Sequence, residues 1–261
     1  LIDKATDEYG NISKKKLIKS IRDSHTKSVI KNIQKGEIFC IVGPSGTGKS
    51  VSLKLMIRLL APTSGRVWID GSCINEADNS ELLALRSKFG YLFQSAALLA
   101  WMTVYENVAL PLREKTKLSE KEIDDRVRDA LDKVGLLHAV DAYPADLSGG
   151  MQKRAGLARA VVTEPEILLY DEPTSGLDPV TSRKIDELIA GLSQKLGVTS
   201  VVVTHDMHSA LSIADRIGML HSSHLLATAT PNEFIKSDIP EIKAFLDAQY
   251  ITTRGSWEKE L

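Results

Sequence analysis

The sequence predicts an α/β domain interrupted by a helical insertion. Three observations predict it. A continuous apolar run at Ile38–Val42 leads through a glycine-rich loop into an amphipathic segment at Ser50–Leu60. Two further apolar runs, Ile167–Tyr170 and Ser200–Val203, bracket a capped amphipathic stretch. Between these two groups, at about 94–156, the patterns are helical only.

Each element has a local reason. Ile38–Val42 lacks the alternation of a half-exposed strand, so it is expected to be buried on both faces. In the following helix Leu53, Met56, Ile57 and Leu60 share one side, and Pro62 and Gly65 are read as its end. Arg66–Asp70 alternates like an edge strand before a turn at Gly71. Ser119–Val134 opens with a capping box, Ser119 with Glu122, and a hydrophobic staple, Leu118 with Ile123. A second helix is expected from Gly149 to Thr163, with Ser148 as its N-cap and Pro165 as its stop. Asp178 caps a third, with Pro179 at its first position, Ile185, Leu188, Ile189 and Leu192 facing inward, and Gly197 at its end. A last helix in the tail places Ile242, Phe245 and Leu246 on one side. Residues 1–16 are polar, close on a lysine run and are read as a solvated terminus.

Composition narrows the class. The chain has 261 residues, 43% hydrophobic and 26% charged, which suits one globular domain. A formal net charge of −1 gives no basic field to attract nucleic acid or anionic lipid, so no nucleic-acid partner is expected. No apolar stretch approaches the ~20 residues needed to cross a bilayer, so any membrane link has to run through a partner. Cys40 and Cys73 read as reduced core thiols rather than a disulfide. The chain opens at Leu1, not Met, so a targeting segment is not excluded.

The glycine-rich loop carries chemistry. Gly43-Pro44-Ser45-Gly46-Thr47-Gly48-Lys49-Ser50 matches the phosphate-binding loop pattern. Its glycines let backbone N–H groups close around phosphate oxygens, and the helix that starts nearby aims its positive dipole end at them. Lys49 is placed for the β- and γ-phosphates, and Ser50 offers a hydroxyl to Mg²⁺. The fixed positions would arise by chance in a chain of this length roughly once in a hundred. Alone, the loop implies nucleotide binding and nothing more.

Two further motifs complete a hydrolytic site. The apolar run at Ile167–Tyr170 ends in Asp171 and Glu172. Asp171 is placed for the Mg²⁺ shell, and Glu172 is placed to polarise the attacking water as general base. The alternative is a pair of acids on a solvated turn. Leu147-Ser148-Gly149-Gly150-Met151 sets two glycines in the first turn of a helix, a poor choice for helix stability but a good one for bare N–H groups facing a γ-phosphate. One nucleotide does not need two such helix ends from one chain. Two chains packed head to tail do, with the phosphate loop of one facing the Ser148 turn of the other.

With these residues in place the sequence resembles the ATP-binding-cassette (ABC) family over about residues 17–230. Phe93-Gln94 resembles its Q-loop, Ser175-Gly176-Leu177-Asp178 its D-loop and Thr204-His205-Asp206 its switch-histidine segment, all in the family's order. The resemblance implies a P-loop NTPase fold: a RecA-like α/β core (17–93 and 157–230) with an antiparallel β edge, a helical subdomain (94–156) and a helical tail (231–261). It implies that Gln94 senses Mg²⁺ and water, that Asp178 contacts the partner's phosphate loop, and that His205 holds the γ-phosphate. The cofactors implied are ATP and Mg²⁺.

Other stretches are similar to one branch, the ATPases of MCE-associated lipid transporters of the Mla, Mkl and plastid type. They are Gly43–Ser50 with Val51, Phe93–Leu98, Asn107–Lys117, 148–160 and Glu241–Asp247. That branch implies a homodimer, transmembrane permease subunits seated near Gln94–Leu112, an MCE-domain lipid-binding protein and a phospholipid cargo. It also implies a place on the cytoplasmic face of the inner membrane or, in the plastid case, its stromal face. The other readings are a transporter with a different cargo, a soluble ABC protein without a transport role, and a binding module without turnover. Glu172 and His205 speak against the last. One departure stands out. The family's adenine-stacking aromatic falls on Ser20 or Ile21, with Tyr9 and His25 nearest, so weak discrimination between bases is expected. Trp257 is read either as an anchor on the dimer partner or as part of a tail packed back on its own chain.

Overall fold

The structure is a computed structural model that describes residues 32–222 and 224–251, together with a strand at Lys16–Ile18. Tyr9, Ser20, Ile21, His25 and Trp257 lie outside the described residues.

Two sheets carry the fold. The larger holds β3 (Ile38–Val42), β6 (Phe89–Leu92), β7 (Ile167–Asp171), β8 (Thr199–Thr204), β9 (Arg216–His221) and β10 (His224–Ala229). Its order is β10-β9-β3-β8-β7-β6, parallel throughout except for β10, which pairs antiparallel with β9 at the edge. The smaller sheet joins β1 (Lys16–Ile18), β2 (Ile33–Gln34), β4 (Trp68–Ile69) and β5 (Ser72–Cys73) as an antiparallel edge layer.

The apolar runs behave as a doubly covered sheet requires. All five residues of β3 are buried. Ile38, Cys40 and Val42 join one hydrophobic cluster, and Phe39 and Ile41 join the other on the opposite face. Each such side chain contributes roughly 1.5–3 kcal/mol by leaving water. Cys40 is buried, Cys73 is half-buried, and both are free thiols. Burial pushes the Cys40 thiol far above its ordinary range, so it stays protonated.

Helices cover both faces. After β3 comes α1 (Lys49–Met56), and α2 (Asn79–Ser87) precedes β6. The helical layer is α3 (Val104–Lys115), α4 (Glu120–Lys133) and α5 (Gly149–Val161), with 3-10 turns at Leu137–Ala139 and Pro144–Asp146. Then come α6 (Pro179–Leu196), α7 (Met207–Ile213), α8 (Pro231–Ile235) and α9 (Pro240–Asp247).

Most boundaries follow the expected caps. Ser119 and Glu122 form the capping box of α4, Asp178 accepts from Val180 and Thr181 N–H at the start of α6, and Gly197 closes α6 at φ 63°. Helix α1 departs: it ends at Met56, four residues before Leu60, because Arg58 turns to φ 53° and its guanidinium donates to Ala77 O at 2.7 Å. The Arg66–Asp70 strand contracts to Trp68–Ile69. Helix α5 keeps its expected start at Gly149 and ends at Val161, two residues before Thr163, and its second half lies against the sheet. A Cβ on Gly90 of β6 would meet Ala160 O at 2.1 Å, and one on Gly156 would meet Leu92 Cδ1 at 2.8 Å. Only glycine permits this approach.

One buried acid sits at the junction of α6 and α7. Asp186 is 6% exposed and accepts from Ser209 Oγ at 2.7 Å, while its Oδ1 has no partner among the described residues. Burial, reinforced by Asp206, raises its pKa to about 6. The folded chain therefore binds a proton here more tightly than the unfolded one. This contribution to stability is complete below the unfolded value of about 4 and is lost as pH rises to about 6. Asp186→Asn should raise stability at pH 7.5 by about 1 kcal/mol, because it removes the cost of a buried carboxylate charge. Thermal melts at pH 7.5 and 4.5 check this: the gain should shrink at the lower pH.

Candidate functional site

The site lies at the C-terminal ends of β3, β7 and β8. Parallel register sets Val42 opposite Thr204 and Asp171 opposite Val203. The residues that follow these strands, Gly43, Glu172 and His205, thereby emerge side by side, as ligands do in open α/β sheets.

The phosphate loop takes the shape its glycines allow. Gly43 has φ 148°, and a Cβ there would lie 2.2 Å from Leu220 O. Gly48, at φ 96°, turns the chain into α1. Thr47 Oγ1 donates to Pro44 O at 2.9 Å across the loop, and Ser45 and Gly46 face solvent. Lys49, 6% exposed, donates from Nζ to Gly43 O at 2.9 Å and Pro44 O at 3.1 Å. The same Nζ lies 3.7 Å from Glu172 Oε1. Burial lowers the Lys49 pKa, and Glu172 opposes that.

Glu172 is the hub. Its backbone sits at φ 49°, a conformation that is costly for a residue with a Cβ and that clusters at functional sites. Its N–H is held by Val203 O at 2.9 Å. One carboxylate oxygen faces Lys49, and the other lies 2.7 Å from His205 Nδ1. Next to it Ser50 Oγ donates to Asp171 Oδ1 at 2.5 Å, and Tyr91 OH donates to Asp171 Oδ2 at 3.3 Å. Burial and the Asp171 carboxylate push the Tyr91 phenol above its ordinary range, so it stays a donor.

The remaining expected residues are placed less centrally. Gln94 is exposed just after β6, with Nε2 3.4 Å from Ser175 Oγ. Ser148 caps α5 by accepting from Met151 N–H at 3.3 Å, and Ser148 and Gly149 are exposed. Among the described residues, no side-chain hydrogen bond or ion pair joins this turn to the phosphate loop of its own chain. A Cβ on Gly150 would lie 2.6 Å from Thr181 Cγ2, so the turn packs beside the start of α6, where Asp178 is occupied in capping.

Sequence reasoning missed Lys153. It is 6% exposed on α5, and its Nζ donates to Glu172 O at 3.2 Å and to Gln94 O. One ammonium thus ties the segments after β6 and β7 together. The signal was a lysine among the small and apolar residues of the buried face of α5. Arg159 on the same helix braces the loop beyond Gln94, donating to Ala97 O and Ala96 O, both at 2.7 Å. Asn107 was read only as the start of the Asn107–Lys117 stretch, with no role of its own. Fully buried, it donates from Nδ2 to Leu99 O, Met102 O and Thr103 O, and its Oδ1 accepts from Leu99 N–H. It fixes a loop from which Trp101 stands 73% exposed while Leu98 packs against the core.

Known proteins match this arrangement. Residues 26–175 match the family described as ABC transporter. A Mycobacterium leprae protein named probable ribonucleotide transport ATP-binding protein mkl is 43% identical over 95% of this chain and 72% of its own length. The intermembrane phospholipid transport system ATP-binding protein MlaF of Escherichia coli K12 is 40% identical over 82% of this chain and 80% of its own. Among solved structures, a dimeric post-hydrolysis state of the ATP-binding cassette MJ0796 bound to ADP and Pi superimposes with a TM-score of 0.70. It is 35% identical and covers 83% of this chain and 97% of that one. With the loop, the acids and the fold in agreement, the chain belongs to the ABC transporter family and is one of its ATP-binding, ATP-hydrolysing subunits.

Proposed function

We propose that the chain drives movement of phospholipids or related lipids as a head-to-tail homodimer beneath a transmembrane permease, with an MCE-domain lipid-binding protein as a further partner. The observation that carries its chemistry is the placement of Glu172 between Lys49 and His205. In this reading Lys49 moves onto the β- and γ-phosphates, and the His205 ring turns to the γ-phosphate. Glu172 is then free to accept a proton from the attacking water. The Ser148-Gly149-Gly150 turn, exposed at the head of α5, serves the ATP held by the other copy, and Asp178 lies beside it at that interface. The dimeric ADP-bound relative supports this arrangement.

The donor set suits Mg²⁺. One carboxylate and one hydroxyl, Asp171 and Ser50, sit together and would hold the ion, with Gln94 as the third candidate, and hard oxygen donors are what this cation takes. A cation held by these residues would supply neutralisation of the phosphate charge.

Among the described residues, no helix is long and apolar enough to cross a membrane. Membrane attachment is therefore assigned to the permease, at the cytoplasmic face, with the Trp101 loop as its seat. The lipid cargo rests on the likeness to the phospholipid transport subunit. The mycobacterial relative, named for ribonucleotide transport, favours a different cargo as the second reading. Purification with the native permease and analysis of co-purifying lipid and nucleotide separates the two.

Three outcomes are expected. Glu172→Gln should cut ATP hydrolysis by at least about 100-fold and leave an ATP-stabilised dimer on gel filtration; undiminished turnover removes Glu172 as base. Lys153→Met keeps most of the side-chain stem but loses both carbonyl bonds, so kcat should fall at least about tenfold with ATP affinity nearly unchanged. Base selectivity should be weak: titration with ATP and GTP should give affinities within about tenfold, because the family's base contact is stacking, which tolerates any base, and Ser20 and Ile21 carry no ring.

A further inference from the structure

The last described segment reaches back to the site. Helix α9 is fixed to the main core by Ile242 and Leu246. It runs out in a turn closed by Tyr250 N–H to Asp247 O and Ile251 N–H to Leu246 O, both 3.0 Å, with Tyr250 at φ 57°. This is the Schellman arrangement, and Ile251 packs against the same cluster as Leu246, as that motif favours. The turn is thus set by packing, and it aims Gln249 at the loop between β8 and α7.

Both ends of the Gln249 amide are used there. Oε1 accepts from Met207 N–H at 2.8 Å, and Nε2 donates to His205 O at 2.9 Å. The two bonds grip the backbone on either side of Asp206. The His208 ring adds a contact from Nε2 to Gln249 O at 3.3 Å. A donor and an acceptor in one planar group at this spacing are an amide's property: a carboxylate lacks the donor and an ammonium lacks the acceptor. The gripped residue is the one whose ring stands 2.7 Å from Glu172. Asp206 also accepts from His208 and Ser209 N–H at the head of α7. The His205 backbone is therefore anchored to the core on one side through α7 and on the other through Gln249.

We propose that Gln249 is a positioning residue for ATP hydrolysis: its amide clamps the His205–Met207 backbone and thereby sets where the His205 ring stands against Glu172 and the γ-phosphate. This rests on the role given to His205 above. Gln249 acts only through the loop it holds.

The test uses the full chain. ATP titrations of steady-state hydrolysis compare the native protein with Gln249→Ala, Gln249→Glu and His205→Ala, alongside thermal melts and hydrogen exchange at the Met207 amide. In Gln249→Ala, kcat should fall about tenfold with KM within about twofold, because a misplaced group acts on the chemical step and not on binding. The Met207 amide should exchange faster, and the melting temperature should change little. Gln249→Glu keeps the size and the acceptor but turns an oxygen toward His205 O, so it should lose at least as much kcat. Unchanged exchange at Met207 would overturn the clamp. Faster exchange with kcat intact, or a loss of kcat that only tracks a lowered melting temperature, would reduce Gln249 to a structural tie and overturn the proposal. If His205→Ala itself retains full kcat, the role of His205 fails; if His205→Ala is inactive while Gln249→Ala is not, only the present inference fails.

Discussion

Parallel register in the large sheet is the constraint on which the site depends. β3, β7 and β8 are hydrogen-bonded neighbours, and their pairing sets Val42 beside Thr204 and Asp171 beside Val203. A slip of one residue would turn every side chain to the other face, and both faces are packed. The two hydrophobic clusters therefore do more than stabilise the sheet. They hold three strand ends level, so that Lys49, Glu172 and His205 meet although they lie far apart in sequence.

Around that level line the chain spends polar groups where they fix backbone. Lys153 bonds the carbonyls of Gln94 and Glu172, Arg159 those of Ala96 and Ala97, and Asn107 those of Leu99, Met102 and Thr103. Apart from Thr103, whose carbonyl also accepts the first α3 bond from Asn107 N–H, these carbonyls lie outside the strands and helices and have no ladder to join. Buried long side chains supply the missing donors. The irregular loops at the sheet's end thus acquire a defined shape from the helical layer beneath them.

Much of this was legible in the sequence, for physical reasons. The strands β3, β7 and β8 were visible because strands buried on both faces must be apolar throughout, and the helix starts at Ser119, Ser148 and Asp178 because caps are local. The chemistry was legible where it is local too: the phosphate loop and the acid pair at Asp171 and Glu172 are contiguous. The Lys153 bridge was not, because it joins segments 59 and 19 residues away that only the fold brings together. The early end of α1 was hidden for the same reason, since it depends on Arg58 reaching Ala77 O. Helix α5 was read at both ends to within two residues, but the seam that seats it on β6, Gly90 against Ala160 O, is announced by no pattern.

That seam has a mechanical consequence. Gly90 and Gly156 bring helix backbone onto sheet with almost nothing between, so the second half of α5 is bolted to β6. Its first half projects to Ser148, about 12 Å beyond Gly156 at 1.5 Å per residue. The helix is a short lever with its fulcrum at the glycine seam. A tilt of about 5° there carries the Ser148 turn about 1 Å, the distance over which a hydrogen bond is made or lost.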